Sequence, residues 1–167
     1  MLLIGRMNKK TKLKTLSYDG EVCDVPINGV IFKNDKYIIT LIKNKFELYD
    51  ISQSRHTLYL TAVSIKNKVI RINILESSTF NKLKAHLFYK ILIDLGYTLW
   101  TDEQSDGGKM VWEKLAKIRG VKIHGWYNNN PVNIDYSKDD EMIYITPTEN
   151  KNKQHDDTKH LSLIGYK

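Results

Sequence analysis

Cysteine is nearly absent: Cys23 is the only one among 167 residues. One thiol cannot form an intrachain disulfide, and it excludes a Cys-rich zinc site. The sequence also lacks an apolar run near the ~18 residues that a membrane-crossing helix needs. Its opening, Met1 to Lys10, sets the basic residues after a very short apolar stretch, the reverse of a secretory signal. It contains no phosphate loop of the Gly-x4-Gly-Lys-Ser/Thr type, and no Ser-His-Asp constellation is readable from spacing. These shortages predict a protein of a reducing, cytoplasmic setting, with no membrane partner and no metal.

What is present suits a single globular domain with a real core: 41% of residues are hydrophobic and 27% charged. Lys and Arg number 26 against 19 Asp and Glu, a formal charge of +7. That balance permits attraction to nucleic acid or another polyanion. It equally fits the Lys- and Asn-rich style of an AT-rich genome. Arg6, Lys9, Lys10, Lys12 and Lys14 make residues 1–20 a basic arm ahead of one domain over 21–167.

Periodicity organises that domain. Residues 20–32 read as extended, with a turn at Asn28-Gly29. Alternating, β-rich runs follow at 37–42, 46–51, 56–65 and 69–75, joined by short turns such as Lys43-Asn44-Lys45 and Lys66-Asn67-Lys68. In the last run Ile70, Ile72 and Ile74 share one face, taken here as the buried one. The period then becomes helical over 78–96, with Phe80, Leu83, Leu87, Phe88, Ile91, Leu92 and Leu95 in phase. Ser78 or Thr79 can cap its start, and Gly96 can end it. A strand at 97–101, a helix at 107–120 carrying Val111, Trp112, Leu115 and Ile118, and a strand at 121–127 complete the order. Beyond it, Asn128 to Pro131 break the chain, 141–146 and 161–166 read as strands, and the polar stretch 147–160 reads as a mobile loop. The expected class is α/β (α+β): a mixed, mostly antiparallel central sheet flanked by helices, in which 69–75 and 97–101 are parallel neighbours.

The stretch Leu95 to Leu115 carries the most specific signal. Gly96, Tyr97, Asp102, Gln104, Ser105, Gly108, Trp112 and Leu115 match a pattern of phage-encoded GNAT-like proteins. The order of elements over roughly 37–127 also resembles the GNAT acyltransferase fold: a meander, a helix after its fourth strand, then strand, helix, strand. The resemblance implies a phage-encoded N-acetyltransferase that transfers acetyl from acetyl-CoA to an amine acceptor, acting in the host cytoplasm. In that family the backbone after the fourth strand receives the cofactor's pyrophosphate, as amides at a helix start favour an anion. Here the corresponding residues are Ser77, Ser78, Thr79, Lys82 and Lys84. Thr79 stands near the family's Arg/Gln position, and Lys82 and Lys84 stand where its two glycines belong, so phosphate charge would be met by side chains. Asp102, Gln104 and Ser105 would line the substrate cleft. Asp102 or Ser105 can instead satisfy free amides at the next helix start.

Acetyl transfer needs a base for the incoming ammonium and a donor for the thioester oxygen. Glu76, at the end of the strand before the cofactor loop, is the candidate base. Tyr127 is the candidate acid, with Tyr136 as a second tyrosine late in the chain. His86 and His124 are isolated, and His155, His160, Asp156 and Asp157 have metal-compatible types but lie in the polar loop. The rival class is a non-catalytic GNAT-fold protein that binds nucleic acid, or a host or virion protein. Lys33, Lys36, Lys43, Lys45, Lys66 and Lys68, gathered at three turns, would then supply phosphate contacts.

Overall fold

The computed structural model describes residues 14–16, 22–24, 28–51, 55–77, 84–102, 106–127, 130–134 and 162–167. The elements are β1 (Lys14–Leu16), β2 (Val22–Asp24), β3 (Val30–Lys33), β4 (Tyr37–Ile42), β5 (Lys45–Asp50), β6 (Arg55–Lys66), β7 (Val69–Ser77), α1 (Ala85–Asp94), β8 (Thr98–Thr101), α2 (Asp106–Ala116), β9 (Lys122–Tyr127), β10 (Asn130–Val132) and β11 (Ser162–Tyr166). The class is mixed α+β. The strands join in the order β10-β9-β11-β8-β7-β6-β5-β4-β3, with β1 paired to β2 and, at Leu16, to β6. Lys14–Leu16 therefore belongs to the sheet although it falls within the basic arm.

The meander β3 to β7 follows from alternation and tight turns. Between β6 and β7, Asn67 and Lys68 take φ of 52° and 61°, the left-handed values that a two-residue hairpin turn uses. From β7 the chain crosses through α1 to β8, which runs parallel to β7, as the expected β-α-β order requires. Next, α2 leads to β9. The last strand, β11, inserts between β8 and β9, antiparallel to both. Asn130 and Pro131, at the end of the stretch read as a chain break, belong to β10, which pairs with β9. Pro131 fits there because β10 lies at the edge of the sheet, where a missing N–H costs no ladder bond.

Both helices cover one face of this sheet. Phe88, Tyr89, Leu92 and Ile93 of α1, with Trp112 and Leu115 of α2, join Ile39, Phe46, Leu48, Ile70, Leu99 and Leu163 in one core. The Tyr89 and Trp112 rings meet edge to face, centroids 5.6 Å apart. Leu87, counted in phase with the apolar stripe, is 39% exposed instead. The stripe is set by Tyr89 and Ile93, so the buried face lies one position further round the helix than the sequence suggests. Phe80, Leu83, Ser78 and Thr79 lie outside the described residues. The N-cap position of α1 is Lys84, without a side-chain cap.

At its other end α1 closes with Gly96 at φ +87°, its N–H bonded to Ile93, and with the Tyr97 N–H bonded to Leu92. Gly120, after α2, has φ +84°. The Lys68 ammonium donates to the Leu95 carbonyl at 3.0 Å and lies over the Tyr97 ring. A cation at a helix C-terminus is favoured by the helix dipole. The Lys68 carbonyl accepts the Thr98 N–H at 2.9 Å, so Lys68 also anchors the start of β8.

The isoleucine face of β7 is buried only in part. Thr61 pairs with Ile74 but Ala62 with Ile72, which leaves Asn73 as an extra residue on β7. Such a bulge resets the alternation. Ile70 and Ile72 pack under the helices, Leu75 takes over beyond the bulge, and Ile74 turns outward, 44% exposed.

Helix and sheet approach closely at Gly165 on β11. A Cβ there would stand 2.9 Å from Trp112 Cζ3 and 3.6 Å from Ile93 Cδ1. Trp112 is fully enclosed and has nowhere to move. Gly165→Ala should therefore destabilise the fold by about 1–3 kcal/mol, read as a lower urea midpoint with an unchanged slope.

Candidate functional site

The parallel ladder between β7 and β8 is short. It pairs Val69 with Thr98, Ile70 with Leu99 and Arg71 with Trp100, and then stops. β7 continues to Ser77, but among the described residues no strand pairs with 72–77 on that side. The two strands thus part into a fork at their C-terminal ends. Both helices begin beyond this end, since each follows one of the two parallel strands. In open sheets with parallel strands, the crevice outside the carboxyl ends is where ligands bind.

Asp102 stands at the branch of the fork, immediately after β8. Trp100 Nε1 and Ser162 Oγ each donate to its Oδ1 at 2.8 Å. On Oδ2 it accepts from Arg71 Nε at 2.6 Å and forms an ion pair with Nη2 at 2.5 Å. One carboxylate therefore joins β7, β8 and β11. Burial alone would raise its pKa. The hydrogen bonds from Trp100, Ser162 and Arg71, with the Arg71 charge, outweigh that and hold the carboxyl below its usual value. The Asp102 oxygens are taken by side chains from three strands.

Around Asp102, the sheet face away from the helices carries aromatic rings. Trp100 and Trp126 lie 6.0 Å apart, and His124 stacks on Tyr166 at 5.7 Å. Lys122 sits over the Tyr166 ring. This explains His124 as a packed residue of the sheet.

Glu76 occupies β7 beyond the bulge, half-buried, paired with Tyr59 of β6 and, among the described residues, with no strand on the β8 side. Among the described residues no group bonds to its carboxylate. Ser77 ends β7. Lys84 starts α1, exposed, with its carbonyl accepting the Leu87 N–H at 2.9 Å. His86, in the first turn, is partly buried, and that burial, with the charges of Lys114 and Lys84, lowers its pKa below the ordinary value. The start of α1 is accordingly a locally positive region. Tyr127 ends β9, paired with Asn130. Ser78, Thr79, Lys82, Gln104, Ser105, Tyr136, His155, Asp156, Asp157 and His160 lie outside the described residues. Among the described residues no cluster of His, Cys, Asp or Glu could hold a metal ion, and no helix is long and apolar enough to cross a membrane.

The fold thus brings Asp102, Glu76, Ser77 and Lys84 towards one end of the sheet, while the Lys66-Lys68 turn lies at the opposite end and Lys45, through Thr61, stands level with Ile74. Two of those turn lysines are engaged internally: Lys68 on the end of α1, and Lys45 with Glu47 at 2.8 Å. Arg71 and Ser162 escaped the sequence reading. Arg71 looked like the solvent side of an alternating strand, and Ser162 lies 60 positions from the carboxylate it serves.

Comparison of the chain with protein-family models, with curated proteins and with solved structures returned no match.

Because the Asp102 pKa is depressed on folding, its stabilisation is complete above the unfolded value near ~4 and is lost as pH falls through the lower folded value. An amide at this position offers only one acceptor for two sets of donors. Asp102→Asn should therefore cost about 1–3 kcal/mol at pH 7, and the gap to the wild type should shrink as the pH is lowered below ~4. Urea unfolding of both proteins across pH 2.5 to 7 checks this; a gap that is constant with pH would contradict it.

Proposed function

We propose that the chain is a GNAT-like acyl-CoA-dependent N-acyltransferase that moves an acetyl group from acetyl-CoA to an amine acceptor. The observation that carries this reading is the fork: a meander whose fourth strand, counted from β4, leads through a helix into a parallel neighbour that pairs for only three residues. The element order and the Leu95 to Leu115 pattern agree with it.

In this reading the thioester lies along the unpaired edge of β7, and the bulge at Asn73 alters the spacing of backbone groups there. The pyrophosphate meets the free amides at the start of α1. Lys84 and Lys82 add charge where the family has glycines, and Lys114 adds to the positive potential felt at His86. Glu76 takes the proton of the acceptor ammonium. The amine nitrogen then bonds to the thioester carbonyl carbon, the carbon–sulfur bond breaks, the nitrogen gives its second proton to solvent, and the departing thiolate receives one, for which Tyr127 is the candidate donor. The Trp100, Trp126 and Tyr166 face lies on the side of the sheet from which an acceptor can approach without displacing a helix.

Calorimetric titration with acetyl-CoA tests the binding step. The wild type should release or absorb heat with a one-to-one stoichiometry. Lys82→Ala/Lys84→Ala should weaken binding by at least tenfold, since each charge-assisted phosphate contact contributes about 1.5–3 kcal/mol. Glu76→Gln should bind acetyl-CoA unchanged while acetyl transfer to an amine drops by about 10²–10⁴-fold. A folded wild type that gives no heat would remove the acyltransferase reading and favour a non-catalytic scaffold that binds nucleic acid or a protein.

A further inference from the structure

A three-residue parallel ladder does not by itself determine where it ends. Pairing Ile72 with Thr101 would extend it by one step and close the fork; losing Arg71 with Trp100 would open it further. The side chains at the branch decide between these. Arg71 is the last ladder residue of β7, and Trp100 is the last of β8. Both end on the Asp102 carboxylate, one on each oxygen. Ser162 holds the same carboxylate from β11, on the far side of β8 from β7. Closing the fork would draw residues 101 and 102 towards β7 and pull Asp102 off Ser162. Opening it would pull Asp102 off Arg71. The carboxylate acts as a strut between strands on either side of β8, and it resists movement in both directions.

We propose that Asp102 is a positioning residue that fixes the width of the fork between β7 and β8, and through it the seat of the acyl-CoA thioester. This rests on the reading of the fork as the acyl-CoA site. Asp102 touches no reacting atom in this role; it acts through Arg71 on one side and Trp100 and Ser162 on the other. The substrate class it serves is a thioester extended along a strand edge, which needs the backbone groups of 72–76 at one defined separation from β8.

A double-mutant cycle with Arg71→Met and Asp102→Asn tests the proposal, with two readouts. The first is amide hydrogen exchange by mass spectrometry. Each variant should exchange faster in peptides covering 72–76 and 98–102, with β4 and β5 unchanged. The second is acetyl-CoA affinity. Each single variant should weaken it by roughly tenfold and the double variant no further, the behaviour of two groups that act as one. The KM for acetyl-CoA should rise accordingly, with kcat at saturation reduced less, and Arg71→Lys should restore part of the affinity. Additive losses, or a fall in stability with neither exchange nor affinity altered at the fork, would overturn the strut. If the wild type binds no acetyl-CoA, the acyltransferase reading falls, and the exchange readout still decides the strut: a change confined to the fork upholds it, and none, or a uniform one, refutes it. Should Asp102→Asn fail to fold, Arg71→Met carries both readouts, because the Arg71 side chain is 56% exposed and its loss leaves the core intact.

Discussion

Three parallel residue pairs between β7 and β8 join the two halves of this sheet. On one side lies an antiparallel meander whose turns are local and whose register each hairpin sets for itself. On the other lie β8, β11, β9 and β10, whose order in space differs from their order along the chain. So short a ladder would slip if it stood alone. It is held because α1 spans the junction from above, because Lys68 ties the β6–β7 turn to the end of α1 and, through its carbonyl, to the start of β8, and because Asp102 closes the other end. The bulge at Asn73 lies just past the ladder, where β7 leaves its partner.

Much of this was legible in the residues. The meander was readable because Tyr37–Ile42 and its successors alternate and are separated by Lys-Asn turns. The crossover was readable because the period changes from two to 3.6 between Ile74 and Phe88. Both signals are local. What failed to show depended on distant or subtle causes. The bulge at Asn73 has no residue signature, so Ile74 looked buried. Pro131 looked like a breaker because an edge strand cannot be recognised without knowing the sheet order. Asp102 stood out through its motif, yet its bonding partners did not, since Arg71 and Ser162 come from strands that only the folded sheet brings near. Half of the expected site, including Thr79, Lys82, Gln104 and Ser105, lies outside the described residues, so its legibility rests on Asp102, Glu76, Ser77, Lys84 and Tyr127.

The positive charge divides into two kinds. Some lysines are structural: Lys68 neutralises carbonyl charge at a helix end, Lys90 pairs with Asp94 one turn on, and Lys45 pairs with Glu47. Others, such as Lys114 and Lys84, bear on the start of α1, where their charges add to burial in lowering the pKa of His86. A net charge of +7 is therefore a poor guide to a binding face here, because part of it is spent inside the fold.

The insertion of β11 between β8 and β9 sets an order of events in folding. The meander can form from neighbouring hairpins as soon as its own residues exist. The second half cannot, because β8 and β9 do not pair with each other: each needs residues 162–166, and the Ser162 bond to Asp102 spans 60 positions. Contacts of such separation form slowly. Until β11 arrives, β8 and β9 each present an open edge to any other extended chain. Nascent or stressed molecules of this protein are thus most exposed to misassembly at one place, the gap that Gly165 fills beneath Trp112.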